Sequence, residues 1–417
     1  MYHAALMRPW GVAMERMLAV VAGFAFLYSL VGGRLERTPL GSALVFVTYG
    51  FLVGPSGLDL LPIAVRAEGL RILAELTLAV VLFSDAAGAN LAVLRRNRAL
   101  PMRLLLIGLP LTLLAGFGAA ALLFPALGWL AWALLATMLA PTDAALGKPV
   151  VTNPAVPASL REALNVESGL NDGICVPVLL LLLAVAELAG DRAGLEALVA
   201  HRFFLEEIGI GGAVGLALGV GGQRAVRLAV QRGWMGETWR PVTVAALALA
   251  TFGTAQALGG SGFIACFVGG LAAGALSRRR AKHEFLLGAE GMGNAFSLVT
   301  WVLFGAAAVG PAMALASTPA VIGYAVLSLT VVRMLPVWIA LAGSGTPASA
   351  RLFLGWFGPR GLASLVFALM VLDAGVPGGE MVIAVVVWTV ILSVLAHGMT
   401  AAPLAAAFTR GEARNAR

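Results

Sequence analysis

The stretch Glu167-Ser168-Gly169-Leu170-Asn171-Asp172 runs directly into Gly173-Ile174-Cys175-Val176-Pro177-Val178-Leu179-Leu180-Leu181-Leu182-Leu183-Ala184-Val185, so two carboxylates stand in a long apolar run. From Val176 to Val185 every residue is apolar, which excludes the alternating pattern of a transmembrane β-strand and points to a helix in lipid. Composition extends that reading to the whole chain. Of 417 residues, 60% are hydrophobic and 12% charged, with a mean hydropathy of +0.93. Soluble domains have roughly 45–50% apolar and about 25% charged residues, and a soluble chain this poor in charge would expose large apolar patches. The 51 glycines suit the close approach of helices in membranes. Cys175 and Cys266 lie in separate apolar runs without ligand spacing, so neither a disulfide nor a metal site is expected.

A membrane helix needs about 20 apolar residues, and the chain accommodates about thirteen. The runs lie near 11–33, 40–54, 70–90, 102–124, 128–146, 160–188, 204–223, 241–258, 261–277, 293–310, 317–343, 350–373 and 380–408. Placing the N-terminus outside tests this parsing by the positive-inside rule. Arg8, Arg16, Arg66, Arg71, Arg192 and Arg202 then face outward, and nearly all the remaining Lys and Arg of the 28 fall in cytoplasmic loops or the tail. The basic net charge of +7 is thereby assigned to loops meeting anionic lipid, not to nucleic acid. The expected protein is an all-α polytopic protein of the inner (cell) membrane, with its C-terminus cytoplasmic. No cleavable signal peptide is evident, because the first apolar run is one of a series. There is no room for an ATP-binding domain and no GxxxxGK[ST] sequence, so transport would be driven by a gradient.

Glu75, Asp85, Asp143, Glu167, Asp172 and Arg333 fall inside the runs, and Arg360 interrupts the twelfth. Each charge at membrane depth costs about 2.5–3.5 kcal/mol even on the mildest scale, so such groups pair or line a hydrated cavity. The plain alternative is a set of ion pairs that fixes helix register, and Glu75 and Asp85 suit it best. Ser168 and Asp172 are four apart and share one helix face. Glu167 and Asn171 form a second such pair, rotated by about 100°. One face thus offers a carboxylate and a hydroxyl to a hard cation, while the other offers a carboxylate and an amide that can be engaged elsewhere.

Run 5 breaks at Pro141-Thr142-Asp143, and run 12 breaks at Gly355-Trp356-Phe357-Gly358-Pro359-Arg360-Gly361. Interrupted helices in corresponding positions of two halves are the best sequence pointer to a transporter's site. They correspond under a six-plus-one-plus-six division in which run 7 connects two inverted repeats.

Phe51-Leu52-Val53-Gly54-Pro55, Ala140-Pro141-Thr142-Asp143, Glu167 to Asp172, Gly358-Pro359-Arg360-Gly361 and Leu395-Ala396-His397-Gly398-Met399-Thr400 together resemble the monovalent cation:proton antiporter-1 family, the NhaP-type and eukaryotic Na+/H+ exchangers. The resemblance covers nearly the whole chain. Many members read Thr-Asp-Pro where this chain has Pro141 before Thr142 and Ala144 after Asp143, a departure that bears on the unwound stretch. The resemblance implies an NhaA-like antiporter fold of inverted repeats with two crossing interrupted helices. It implies that Asp172 carries proton and monovalent cation alternately, with Ser168, Thr142 and Asp143 at the cation site. Glu167 would pair with Arg333, Asn171 would bridge to the broken run 5, and Arg360 would offset carbonyl dipoles at the crossing. Asp85 has no close motif match, and His397 is read as a helix-end histidine. The resemblance further implies a homodimer. Residues 1–100 and 241–310 would form a dimerisation domain, 191–240 a linker, and 101–190 with 311–417 a core that moves as an elevator. Cation, proton and lipid are the expected partners, with no cofactor.

The leading function is exchange of Na+, K+ or Li+ for H+. The alternatives are a proton-coupled transporter of another solute, such as an organic anion, and an intramembrane aspartyl enzyme using Asp143 and Asp172. An anion carrier would favour basic groups at its site, whereas acidic ones predominate here. A protease would want two catalytic aspartates or a Ser–His pair, and the histidines are remote in sequence. Counting titrating groups leaves Asp172 alone, which implies electroneutral one-for-one exchange.

Overall fold

The computed structural model describes residues 8–35, 41–62, 68–88, 99–143, 146–151, 153, 156–187, 206–277, 279–315 and 318–415. Helices fill the apolar runs: α1 (Arg8–Leu35), α2 (Ser42–Val53), α3 (Glu68–Gly88), α4 (Ala99–Leu123), α5 (Trp129–Met138), α6 (Ala158–Glu187) and α7 (Gly211–Gln231). There follow α8 (Arg240–Ala257), α9 (Gly262–Leu276), α10 (Arg279–Phe304, continued to Leu315), α11 (Pro319–Ala340, kinked at Thr330), α12 (Ala348–Trp356), α13 (Leu362–Asp373) and α14 (Gly379–Asn415). No strand occurs among the described residues. The loops carrying Arg37, Arg66, Arg95, Arg96, Arg98, Arg192, Arg202 and Arg278 lie outside the described residues, as do Ala144 and the start of run 7.

Six helices among the described residues are long and apolar enough to cross a membrane by length and composition, and α6 and α14 are the longest of them. Two shorter apolar helices, α5 and α13, owe their length to the breaks in runs 5 and 12, where non-helical backbone replaces helix at 140–143 and 357–361. Run 5 ends as a helix at Met138, earlier than its apolarity implies, because Pro141 has no N–H to continue the ladder. Conversely, α10 starts and α14 ends well beyond their apolar runs. Hydropathy marks the part of a helix that meets lipid, whereas hydrogen bonding carries the helix on into polar residues such as Arg410.

The packing sorts the helices into two groups. In one, α9 lies between α7 and α3, while α10 packs on α2, α3 and α8. In the other, α4 packs on α5 and α11, and α14 packs on α11, α13 and α5. Helix α6 touches both, through α5 on one side and α3 and α9 on the other. Lipid is as apolar as leucine, so close backbone contact between small residues, more than hydrophobic burial, holds such helices together. The α7–α9–α3 sandwich shows this directly. A Cβ on Gly219 of α7 would overlap the Gly269 backbone of α9, and a Cβ on Gly274 of α9 would overlap the Ala87 carbonyl of α3. Gly118 of α4 instead has open space on its Cβ side.

Gly219→Val and Gly274→Val should each lower the thermal midpoint of the detergent-solubilised protein, since forcing methyls into such contacts costs about 1–3 kcal/mol. Gly118→Ala should leave the midpoint unchanged; an equal drop in all three would show that the helix approach is not what these glycines serve.

Candidate functional site at the crossing of two broken helices

Helix α6 carries the Glu167–Asp172 motif into the interior, and Glu167, Ser168, Asn171 and Asp172 are all buried. Their periodicity divides the work. On one face, Arg333 of α11 donates to both oxygens of Glu167, at 2.5 and 2.8 Å. Both members of this bidentate pair are 2% exposed at their side chains. Next to Glu167 along the same side, Asn171 Nδ2 donates to Thr142 Oγ1 at 2.7 Å, and the Thr142 N–H returns to Asn171 Oδ1 at 3.3 Å. Asn171 thus ties α6 to the extended stretch that follows α5. On the other face, the Ser168 hydroxyl donates to the Thr142 carbonyl, which brings the Ser168 and Thr142 oxygens together one helical turn from Asp172.

The two breaks touch each other. The Asp143 N–H donates to the Pro359 carbonyl at 2.8 Å, joining the unwound stretches backbone to backbone. The Asp143 carboxylate accepts from Leu362 N–H at 3.0 Å, at the start of α13, and from Leu146 N–H at 3.3 Å. A carboxylate at a helix N-terminus satisfies donors that the helix itself cannot and meets the positive end of its dipole. From the opposite direction Arg360, fully buried, donates through Nη1 to the carbonyls of Ala140 and Pro141 at 2.9 and 3.1 Å. These are the acceptors left over where α5 stops. The glycines flanking Arg360 are required by these neighbours: a Cβ on Gly358 would overlap the Arg333 guanidinium, and one on Gly361 would overlap the Asp143 carboxylate.

Asp172 differs from the other three acidic or amide groups of the site. It is 7% exposed, and among the described residues no hydrogen-bond donor reaches its Oδ1. Asp85 of α3 lies close to α6, where a Cβ on Gly169 would sit 3.3 Å from the Asp85 carbonyl oxygen. Glu75 stands apart from the site, 3.5 Å from Arg71, whose guanidinium also reaches Asp373. The structure therefore gathers Thr142, Asp143, Glu167, Ser168, Asn171, Asp172, Arg333 and Arg360 around one crossing and leaves Glu75 out.

Reading the sequence missed Ser393 and misplaced His397. Ser393 of α14 accepts the Arg360 backbone N–H at 2.7 Å, and His397, one turn on, packs against Trp356. The expectation of a helix-end position for His397 is corrected: α14 continues to Asn415, and His397 is buried in its interior. The available signal was the i,i+4 spacing of Ser393 and His397, the same spacing that singled out Ser168 and Asp172.

Two interrupted helices crossing beside buried carboxylates are the arrangement in which membrane transporters build their ion sites. The chain is a member of the sodium/hydrogen exchanger transmembrane family, whose sequence profile matches residues 22–407. It is 26% identical over 394 residues to the K+/H+ antiporter NhaP2 of Shewanella sp. (strain ANA-3), covering 93% of this chain and 66% of that one. It is 26% identical over 391 residues to the K+/H+ antiporter NhaP of Alkalimonas amylolytica, with the same coverage. The chain thus spans just under two thirds of the length of these relatives. In fold it is similar to the sodium proton antiporter MjNhaP1 of Methanocaldococcus jannaschii, with a TM-score of 0.74 at 21% identity, covering 96% of this chain and 99% of that one. These relatives are transporters and not enzymes.

Removing either partner of the Glu167–Arg333 pair leaves a buried charge uncompensated, which typically costs about 3–5 kcal/mol. Glu167→Ala and Arg333→Ala should each lower thermal stability sharply, and the double variant should recover part of the loss. Strictly additive losses in that double-mutant cycle would show that the two are not energetically coupled.

Proposed function

We propose that this protein is a secondary antiporter that exchanges a monovalent cation for H+ at Asp172. The observation that carries the reading is the state of its carboxylate. Around it, Glu167 is held by Arg333, Asn171 by Thr142, and Asp143 by backbone donors, while Asp172 Oδ1 has no protein donor. A buried carboxylate without a partner is costly as an anion, so it is stabilised by binding either a proton or a cation. Because one group cannot hold both, loading with one expels the other, and mutual exclusion is sufficient for exchange. The oxygens of Ser168, Thr142 and Asp143 are hard ligands suited to an alkali cation, so these residues complete the cation site in this reading. The relatives are named for K+ and the structural neighbour for Na+; we take Na+ as the first substrate to test, followed by K+ and Li+.

The remaining features of the reading follow from the same site. About thirteen spans in an NhaA-like arrangement of inverted repeats place the two breaks at the midplane. Residues 101–190 and 311–417 then form a core that carries Asp172 across the membrane. Residues 1–100 and 241–310 form the static part and the contact of a homodimer, with 191–240 as the linker. The protein resides in the inner membrane with its N-terminus outside. Exchange is electroneutral, since Glu167 is closed in a bidentate pair with Arg333, Asn171 has no proton to trade, and both oxygens of Asp143 accept from backbone N–H groups. Asp172 crosses either protonated or with one cation, and both forms carry the same charge.

Purified protein in vesicles loaded with a pH dye should move protons when Na+, K+ or Li+ is added, and Asp172→Asn should abolish that movement while remaining folded. Wild-type flux in a well-folded Asp172→Asn protein would refute the site.

Electroneutrality has its own measurement. Vesicles without a charge-compensating ionophore should build no membrane potential during Na+-driven exchange. A sustained potential would mean that a second carboxylate titrates, with Asp143 the first to test.

A further inference from the structure

His397 carries no role in the exchange just described, yet it is among the most completely buried polar residues of the chain, 1% exposed in the interior of α14. Its ring lies against the break in the interrupted helix. His397 Nε2 is 2.9 Å from the carbonyl oxygen of Trp356, the last residue of α12 before the backbone unwinds. Nδ1 is 3.3 Å from the Ser393 hydroxyl and 2.9 Å from the Ser393 carbonyl. The Ser393 hydroxyl in turn accepts the backbone N–H of Arg360 at 2.7 Å.

Nε2 has only a carbonyl oxygen as partner, so a bond there requires the proton on Nε2; Nδ1 lies beside both the Ser393 carbonyl and the Ser393 hydroxyl, and in a ring protonated on Nε2 alone the hydroxyl is the group that can donate to it. The chain of bonds then runs in one direction, from Arg360 N–H to Ser393 O–H to His397 Nδ1, and from His397 Nε2–H to Trp356 C=O. The imidazole thus holds the Trp356 end of the unwound stretch 357–361 directly and the Arg360 end through the Ser393 hydroxyl, both from α14. A second bond reinforces the Trp356 end, where the indole N–H donates to Thr400 Oγ1 at 3.0 Å.

We infer that His397 is a positioning residue for transport, holding the break between α12 and α13 so that the Arg360 guanidinium lies over the freed carbonyls of Ala140 and Pro141. Its effect reaches the site through backbone alone, because His397 has no bond to Asp172 or to its oxygen neighbours. The inference rests on the antiport reading and extends it from the residues at the cation to the element that keeps the second break in register.

Three variants test it. Glutamine places an amide N–H where Nε2 stands and keeps the bond to Trp356, asparagine places one where Nδ1 stands and loses it, and alanine removes both. His397→Ala should slow cation-driven proton flux about tenfold and speed hydrogen–deuterium exchange of the amides in 357–361 by about as much, the scale expected from one buried hydrogen bond left unmade. His397→Gln should restore both readouts to within about threefold of wild type, and His397→Asn should not. Equal behaviour of the glutamine and asparagine variants, or wild-type flux and wild-type exchange at 357–361 in the alanine variant, would overturn the assignment. Should the alanine variant not fold, the glutamine–asparagine comparison decides the matter alone. If the wild-type protein moves no protons with Na+, K+ or Li+, the antiport reading fails, and amide exchange at the break still decides whether His397 fastens it.

Discussion

The structure depends on satisfying backbone groups that two interrupted helices leave bare at membrane depth. Lipid supplies no hydrogen bonds, so unwound backbone is tolerated only where protein or a hydrated cavity completes it. Here the two breaks complete each other: Asp143 N–H meets Pro359 C=O, the Asp143 carboxylate meets Leu362 N–H, and the Arg360 guanidinium meets the Ala140 and Pro141 carbonyls. Each charged side chain stands at the end of the opposite helix where its sign is needed, the anion at the start of α13 and the cation past the end of α5. Neither broken helix is stable at that depth without the other.

Around this crossing the charges are arranged so that all but one of the site's groups are engaged. Glu167 and Arg333 close on each other in a bidentate pair, a geometry that holds α11 and α6 in fixed register. Asn171 and Ser168 fasten α6 to Thr142. A buried pair of this kind is weak support for stability in itself, and its effect here is to engage both oxygens of Glu167. What remains is one carboxylate, Asp172, with an oxygen that no donor reaches. The chemistry proposed for the protein follows from that open oxygen; the other unpartnered buried atoms of these residues, Arg333 Nε and Arg360 Nε and Nη2, are donors and cannot hold a cation.

Away from the crossing the helices hold together by proximity. Glycines on α7 and α9 let backbones approach within the reach of an absent Cβ, which is how helices associate in a solvent that offers no hydrophobic drive. Helix α6 packs against both groups of helices, so the residue proposed to carry the ion sits where the two groups meet. Helix α14, by contrast, reaches the crossing from behind, with Ser393 and His397 bonded to the backbone of the second break.

The sequence alone determined the solvent, the helical class, the positions of the apolar runs and the two breaks, because lipid selects for apolar length and proline and glycine act on their own backbone. It also marked Glu167, Ser168, Asn171 and Asp172, since charge in an apolar run is conspicuous and helical spacing sorts such residues into faces. Only the tertiary structure decided which of these groups are already engaged. Whether Asp143 faces an ion or caps a helix depends on where Leu362 falls, more than two hundred residues away. The role of His397 depends on Trp356 in a different helix, and no periodicity within α14 records it. Glu75 and Asp85 look alike in the sequence, two acids on one helix; Glu75 pairs locally with Arg71 one turn away, whereas packing brings Asp85 beside α6. Local chemistry is written residue by residue, but partnership between distant segments is set by how the helices cross, and that is a property of the folded chain.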